Sequence, residues 1–360
     1  MSQGTNGHGT RHEVLISSDS HVMEPPDTLI ERVPQPFRDQ APRFPQLKVG
    51  ESFQTHPGGS DPNCRIKEME TDGLSAEVLY PTYLLDLFHL EPPELQAACF
   101  AAYNDWLIDY CKAAPKGLVG IAAISVHDID AAVKELERCK KAGLRGSIIW
   151  QVPHPSLPFH SEHYNKFWAA SQELNMPVNL HILTGHGYQM NKDRRQSVEG
   201  YRGSVNLKLR DIANALFEVI FYGILDRYAG LKFVTVENEV GWLPFMLQQW
   251  DYYYRRFRGV NPPPISKDPS EYFRNQIYAT FFRDTVAGHN FEWWGQDNCM
   301  WSNDYPHGNS TWPKSREYIE RDLGHLPVEI RKKLLCTNVA KLYEMAMPEP
   351  AQAAQAGAAH

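Results

Sequence analysis

The chain has 360 residues, 42% of them hydrophobic, and a formal net charge of -7. This apolar fraction can fill a large core and excludes a wholly disordered chain, and the lack of a clustered basic run argues against a nucleic-acid partner. No apolar stretch reaches the roughly 20 residues that span a bilayer, and residues 1–12 lack the apolar centre of a secretory signal, so we expect a cytoplasmic protein without a membrane partner.

Short β-branched runs alternate with helix-like segments along the chain. The strand-like runs are Val14–His21, Ala76–Pro81, Leu118–Ile124, Gly146–Trp150, Val178–Ile182, Lys232–Glu237, Ile277–Phe282 and Cys299–Asp304. The helix-like segments include 93–112, 128–142, 163–174, 209–227 and 328–343. Strands separated by helices pair in parallel, and eight such units favour a closed barrel over an open sheet. We therefore predict the α/β class and a (β/α)8 TIM barrel, distorted by loop insertions on its C-terminal face.

The sequence predicts a single domain over residues 13–347. Residues 1–12 and 348–360 lack periodicity and are expected to be disordered tails. Two polar segments, 34–65 and 184–208, interrupt the repeat after the first and fifth strands. Because both leave the C-terminal ends of strands, we expect them to form the rim or lid of a site on that face.

Ligand-type residues end three of the predicted strands. Asp19 and His21 close the first strand, His181 closes the fifth, and Asp304 closes the eighth. Residues i and i+2 of a strand point to the same side, so Asp19 and His21 offer an oxygen and a nitrogen to one ion. Each motif alone has an ordinary explanation, as a capping carboxylate or a hydrogen-bonded core histidine. Their shared position on one barrel face favours a metal site.

These motifs resemble a known family. The chain is similar to the amidohydrolase superfamily, specifically the amidohydrolase-2 branch that includes aminocarboxymuconate semialdehyde decarboxylase and related aromatic-acid decarboxylases. The resemblance covers roughly residues 14–345. It rests on Ser18–Pro25, Tyr103–Trp106, Ala142–Gly146, Pro177–His181 and Ser302–His307. It implies a metal-dependent enzyme with Asp19, His21, His181 and Asp304 as ligands, and a homodimer.

The resemblance also bears on the metal count. Binuclear relatives carry a bridging carboxylated lysine at the end of strand four, whereas residues 146–153 contain no lysine. One divalent ion is therefore expected. Zinc is the first expectation and manganese the alternative, because sites with mixed nitrogen and oxygen ligands accept both.

Further candidates surround the predicted centre. Glu237 stands where the decarboxylase relatives place a histidine, and it is either a catalytic base, an orienting partner of a ligand or a salt-bridged rim residue. Asp304 is the second catalytic candidate. Arg283, His307 and Trp150 are candidates for substrate binding. The remaining histidines, including His56, His89, His154, His186 and His289, are not expected to form a constellation.

The leading functional hypothesis is hydrolysis of a small aromatic or cyclic carbonyl or carboxylate substrate by metal-bound hydroxide. The first alternative is metal-dependent, non-oxidative decarboxylation of an aromatic or muconate-like acid. A non-catalytic binding barrel is the least favoured hypothesis, because the ligand positions are intact. The Tyr- and Arg-rich segment 249–258 suits a subunit interface or a substrate rim.

Overall fold

The computed structural model describes residues 13–46, 56–187, 198 and 209–347. Both predicted tails and parts of both predicted insertions, residues 47–55, 188–197 and 199–208, lie outside these ranges. Within them the chain forms one eight-stranded parallel sheet in the order β1 to β8. The strands are β1 Ile16–His21, β2 Ala76–Tyr80, β3 Leu118–Ala123, β4 Gly146–Ile149, β5 Val178–His181, β6 Phe233–Val236, β7 Ile277–Phe281 and β8 Cys299–Trp301.

Hydrogen bonds join the last strand to the first and close the barrel. The Ser18 hydroxyl donates to the Trp301 carbonyl at 2.9 Å. Just beyond β8, the Asp304 N–H donates to the Asp19 carbonyl at 3.1 Å. Every strand residue is buried, as expected of parallel strands inside a ring of helices. The predicted α/β class and TIM barrel are confirmed.

Helices alternate with the strands. They are α1 Thr28–Arg32, α2 Pro62–Asp72, α3 Pro93–Cys111, α4 Ile129–Lys141, α5 Asn165–Glu173, α6 Arg210–Phe221, α7 Ile224–Arg227, α8 Leu243–Phe257, α9 Pro269–Gln276, α10 Thr285–Asn290, α11 Ser315–Leu323, α12 Val328–Lys332 and α13 Asn338–Leu342. A π-helical turn, Lys333–Thr337, joins α12 to α13. Helix α4 illustrates how the local sequence stabilises both ends of a helix. The Asp128 carboxylate accepts the Ala131 N–H at the start, and the basic residues Arg138 and Lys140 lie in the last turn.

Two predicted boundaries are wrong for identifiable reasons. The segment 209–227 is two helices, because Gly223 has φ +71° and a Cβ there would lie 2.3 Å from the Pro264 carbonyl oxygen. The eighth strand ends at Trp301, three residues earlier than predicted, because Asp304 has φ +55°. The shorter strand leaves Asp304 on the loop above the barrel. In the described part of the chain no helix is long and apolar enough to cross a membrane.

Candidate metal centre

The four predicted metal ligands meet at the C-terminal end of the barrel. We call these residues, Asp19, His21, His181 and Asp304, the central cluster. His21 Nε2 lies 3.4 Å from Asp19 Oδ1 and 3.6 Å from Asp304 Oδ1. His181 Nε2 lies 3.8 Å from Asp19 Oδ1 and 3.3 Å from His21 Nε2. All four side chains are completely buried. The i, i+2 spacing on β1 thus brings Asp19 and His21 together across the barrel from His181.

Backbone carbonyls fix the tautomers of both histidines. His21 Nδ1 lies 2.7 Å from the Pro81 carbonyl oxygen, and His181 Nδ1 lies 2.7 Å from the Ile182 carbonyl oxygen. A carbonyl only accepts, so each Nδ1 carries its proton and each neutral ring turns an Nε2 lone pair toward the other. Two such lone pairs 3.3 Å apart require a positive charge between them. A proton on His181 or a divalent cation supplies it.

Asp19 supplies the negative charge of the cluster. Both of its carboxylate oxygens are buried and accept no hydrogen bond from the described residues. Burial alone would raise the pKa of Asp19, but the neighbouring His181 and His21 outweigh this effect and hold the pKa below its ordinary value. The same carboxylate raises the pKa of His181 against the opposing effect of burial. A buried carboxylate without donors, facing two imidazole nitrogens, fits a divalent cation.

Asp304 pairs with the predicted substrate-binding residue His307. His307 Nδ1 lies 2.8 Å from Asp304 Oδ1, and its Nε2 lies 3.2 Å from the Thr82 hydroxyl oxygen. The His307 ring has its centroid 4.1 Å from that of the His21 ring, and the two rings are tilted by 35°. Asp304 has φ +55°, a strained conformation for a residue with a side chain. His307 therefore lies next to the central cluster, and its hydrogen bond orients the Asp304 carboxylate.

Glu24, which the sequence analysis did not select, holds the loop that carries Thr82. Its completely buried carboxylate accepts the backbone N–H groups of Thr82, Tyr83 and Leu84 at 3.3, 3.0 and 3.1 Å. Burial raises the pKa of Glu24 to about 7, although these three donors favour the charged form. These partners lie 58 to 60 residues further along the chain, so no spacing motif in the sequence selects Glu24.

Glu237 lies at the edge of the central cluster. Its Oε2 is 3.8 Å from His181 Nε2, and its N–H donates to the Thr280 hydroxyl at 3.0 Å. Glu237 has φ +61°, so the end of β6 is strained like the segment after β8. The structure therefore places this carboxylate beside a ligand-type histidine, where either a base or an orienting role is chemically feasible.

Two predicted substrate-binding residues have other contacts. The Arg283 guanidinium donates to the Ser310 carbonyl at 2.9 Å and lies over the Tyr318 ring. The Trp150 indole is buried, and its N–H donates to the Tyr164 hydroxyl at 3.1 Å. Neither side chain is brought into contact with the central cluster in the described part of the chain.

Comparisons with known proteins agree on the family to which the chain is similar. The sequence profile of the amidohydrolase family matches residues 55–345. The chain is 27% identical to the gamma-resorcylate decarboxylase of Rhodococcus jostii strain RHA1, over 67% of this chain and 75% of that protein. It is 24% identical to the gamma-resorcylate decarboxylase of Rhizobium sp. strain MTP-10005, over 79% of this chain and 87% of that protein.

Solved structures show the same fold. The 5-carboxyvanillate decarboxylase of Sphingomonas paucimobilis superposes with a TM-score of 0.72 at 18% identity, covering 92% of this chain and 99% of that one. The dihydroxybenzoic acid decarboxylase of Polaromonas sp. JS666, solved with manganese and the inhibitor 2-nitroresorcinol, gives 0.70 at 18% identity, covering 92% and 97%. At this identity the likeness establishes the barrel fold.

Proposed function

We propose that this chain, which belongs to the amidohydrolase family of enzymes, is a metal-dependent decarboxylase of an aromatic acid. The observation that carries the proposal is the central cluster with Asp304 paired to His307 at 2.8 Å, a proton-transfer pair beside a cation site. The curated relatives are named as decarboxylases, which favours this reaction over the hydrolysis expected first from the sequence. Decarboxylation thus replaces hydrolysis as the leading hypothesis.

One divalent ion would be held by Asp19, His21, His181 and Asp304. When bound, the ion polarises the substrate's carboxylate and a neighbouring hydroxyl and neutralises charge that develops there. Manganese is preferred to zinc, because two of the four donors are carboxylates and related structures contain manganese. A test of this preference is the reactivation of chelated protein with each metal in turn.

The chain's own residues move the proton that decarboxylation requires. Asp304 receives the Nδ1 proton of His307 through their 2.8 Å contact and delivers it to the ring carbon that carries the carboxylate. The bond between that carbon and the carboxyl carbon then breaks, its electron pair restores the aromatic ring, and carbon dioxide leaves. His307 shares its proton with Asp304 through the 2.8 Å contact, so the carboxylate can be reprotonated after the reaction.

Substrate binding is assigned to His307, whose ring lies beside that of His21 at the cluster. The prediction that Arg283 binds the substrate carboxylate has weaker support, because its guanidinium is engaged by Ser310 and Tyr318. The buried Trp150 is better suited to supporting the pocket wall than to contacting substrate. An aromatic acid with an adjacent hydroxyl group is the substrate class that these assignments favour.

Hydrolysis remains the second candidate because of Glu237. Its carboxylate lies 3.8 Å from His181 Nε2 and can accept a proton from a water molecule at the cluster. Isotope labelling separates the two reactions. The manganese-loaded protein is incubated with 2,6-dihydroxybenzoate and related hydroxybenzoates in deuterated, 18O-enriched water.

Decarboxylation places one deuterium on the ring carbon that lost the carboxylate and leaves the product without 18O. Asp304→Asn is the matched variant, and we expect it to lose most of this activity. If esters, lactones or amides instead yield products containing 18O, while no hydroxybenzoate releases carbon dioxide, the proposal fails in favour of hydrolysis.

The expected homodimer is also proposed, with α8 at its interface. Tyr252, Tyr253 and Phe257 are each about half exposed on this helix, and such aromatic residues are enriched in interfaces. Light scattering of the purified protein tests it: a mass twice that of the 41.2 kDa chain is expected. A monomer that becomes no larger at high concentration would contradict the dimer.

A further inference from the structure

A buried arginine contacts the backbone of one of the predicted metal ligands. The Arg65 side chain, on α2, is completely buried, and its Nη1 donates to the His21 carbonyl oxygen at 2.7 Å. Its Nε donates to Glu77, a buried carboxylate on β2, at 2.5 Å. The other carboxylate oxygen of Glu77 lies 3.2 Å from the hydroxyl of Ser20, the residue between Asp19 and His21. The ion pair therefore contacts the end of β1 at two successive residues.

The same guanidinium reaches the loop that carries Asp304. Its Cζ lies 4.3 Å from the centroid of the Tyr305 ring, a cation–π contact with the residue that follows Asp304. Tyr305 also contacts α2 through its hydroxyl, which donates to the Glu68 carboxylate. The Tyr305 carbonyl in turn accepts the His21 N–H at 2.6 Å. Arg65 thus touches both of the segments that bring His21 Nε2 and Asp304 Oδ1 to a distance of 3.6 Å.

Stability alone does not explain the contacts of Arg65. Moving two charges out of water costs about as much free energy as their attraction returns, so a buried ion pair adds little net stability. Arg65 Nη2 is also buried and has no hydrogen-bond partner among the described residues, which reduces the gain further. A planar guanidinium with donors in fixed directions does, however, specify the positions of the groups that it contacts. The contacts of Arg65 therefore fix geometry more than they add to the free energy of unfolding.

A second buried arginine has the same kind of contacts away from the central cluster. Arg331 is 5% exposed, its Nε donates to Glu13 at 2.8 Å, and its Nη1 donates to the Gly324 carbonyl at 3.1 Å. Glu13 precedes β1, whereas His21 ends that strand. The two arginines therefore lie at opposite ends of one strand, and only Arg65 lies beside the predicted metal ligands. Arg331 thus serves as a matched control.

We propose that Arg65 is a positioning residue of the central cluster. Paired with Glu77, it holds the end of β1 against the loop after β8, so that His21 and Asp304 face the cation site before an ion binds. Ligands that are already in place lose little conformational freedom when the ion arrives, and the affinity for the ion rises accordingly. This inference rests on the proposed metal site, but it needs no assumption about the reaction or the substrate.

Calorimetric titration with Mn2+ of the chelator-treated parent, Arg65→Lys and Arg331→Lys tests the positioning role. Lysine keeps the charge beside the glutamate, but its single nitrogen cannot hold the glutamate and the backbone carbonyl in one fixed plane. We expect Arg65→Lys to lower manganese affinity by about 10- to 100-fold, the usual effect of losing a group that orients a ligand. Arg331→Lys should stay within about 2-fold of the parent, because its site is remote from the ligands.

Urea unfolding of the same three proteins measures their stability. A lower free energy of unfolding in Arg65→Lys, together with parental manganese affinity, overturns the proposal and leaves Arg65 with a structural role only. Equal losses of manganese affinity in Arg65→Lys and Arg331→Lys overturn it as well.

A metal-free measurement separates this inference from the proposed metal site. In crystals of the chelator-treated proteins, the distance from His21 Nε2 to Asp304 Oδ1 should stay near 3.6 Å in Arg331→Lys. In Arg65→Lys it should change by more than about 0.5 Å, the tolerance within which a working site is held. If the parent binds no manganese, the proposed metal site fails. A changed distance in Arg65→Lys then still supports the positioning role, and an unchanged distance overturns it.

Glu77→Asp replaces Arg65→Lys in both measurements if the lysine variant does not fold. Aspartate keeps both charges of the pair and withdraws the carboxylate by one methylene group. We expect manganese affinity to fall by about 10-fold. Parental affinity together with an unchanged distance between His21 and Asp304 in this variant overturns the proposal.

Discussion

The two sides of the barrel mouth contain histidine pairs of the same geometry in different surroundings. In the central cluster, Asp19 and Asp304 accompany His21 and His181, and all four are completely buried. On the other side the rings of His154 and His186, which follow β4 and β5, have centroids 4.9 Å apart and are only partly buried. The difference shows that two histidine rings at this distance do not by themselves make a metal site, whereas buried carboxylates add the charge that binds a cation and moves protons.

The largest expected effect is the loss of the central ion in His181→Ala. Removing this ligand should lower manganese affinity by more than about 100-fold, because mutation of a residue that only orients a ligand already lowers metal affinity by about 10- to 100-fold. Decarboxylase activity should fall with it. Calorimetric titration with Mn2+ and an activity assay measure both, with His154→Ala as the control on the other side of the mouth. Equal losses of manganese affinity in the two variants would erase the distinction between the two sides of the mouth.

Asp304→Asn should separate proton transfer from metal binding. The amide keeps the side chain's shape and one oxygen, but it cannot donate the proton. We expect kcat to fall by about 10²- to 10⁴-fold, the usual worth of a general acid. Manganese content should fall much less than in His181→Ala. A variant with near-parental kcat would remove Asp304 from the proposed chemistry, and His307 would then be the remaining proton donor.

Glu24→Gln should have an intermediate effect through the loop that carries Thr82. Glutamine offers one oxygen to the three N–H groups that Glu24 binds, so the Thr82 hydroxyl should hold His307 less firmly. We expect kcat to fall by about 10-fold while manganese content stays unchanged. If kcat and manganese content both remain parental, Glu24 has no positioning role.

The same variant tests the pKa of Glu24. The folded chain raises this pKa from 4.5 to about 7, so between these values the folded state holds a proton that the unfolded chain has released. Stability of the parent should therefore decrease as pH rises through this window, by up to about 1.4 kcal/mol per pH unit. Glu24→Gln should lack this contribution. Urea unfolding of both proteins at several pH values measures the difference, and parallel curves would contradict the raised pKa.

The smallest effect is expected at the rim. Arg283→Lys changes a side chain engaged by Ser310 and Tyr318, so KM for the aromatic acid should change by less than about 3-fold. Steady-state kinetics measures it. An increase of about 10-fold or more with unchanged kcat would instead assign Arg283 to the substrate carboxylate.

Much of the fold follows from the sequence because buried parallel strands are continuous apolar runs. All eight runs became strands, and the eight-unit repeat gave the barrel. The helix boundary that failed depends on a contact distant along the chain. Gly223 breaks a helical pattern where the backbone of Pro264 approaches, and no periodicity at residues 209–227 reveals that approach.

The central cluster could be predicted because barrel geometry brings strand ends together. Asp19, His21, His181 and Asp304 each end or follow a strand, so topology placed them on one face. Glu24 acts instead through a loop fifty-eight to sixty residues away, and such a contact leaves no spacing pattern.

The most direct test of the central cluster is anomalous scattering from crystals grown with Mn2+. A strong manganese peak is predicted among Asp19, His21, His181 and Asp304, with both histidines contributing Nε2. The absence of a peak there, or a manganese peak only at another site, would contradict the account.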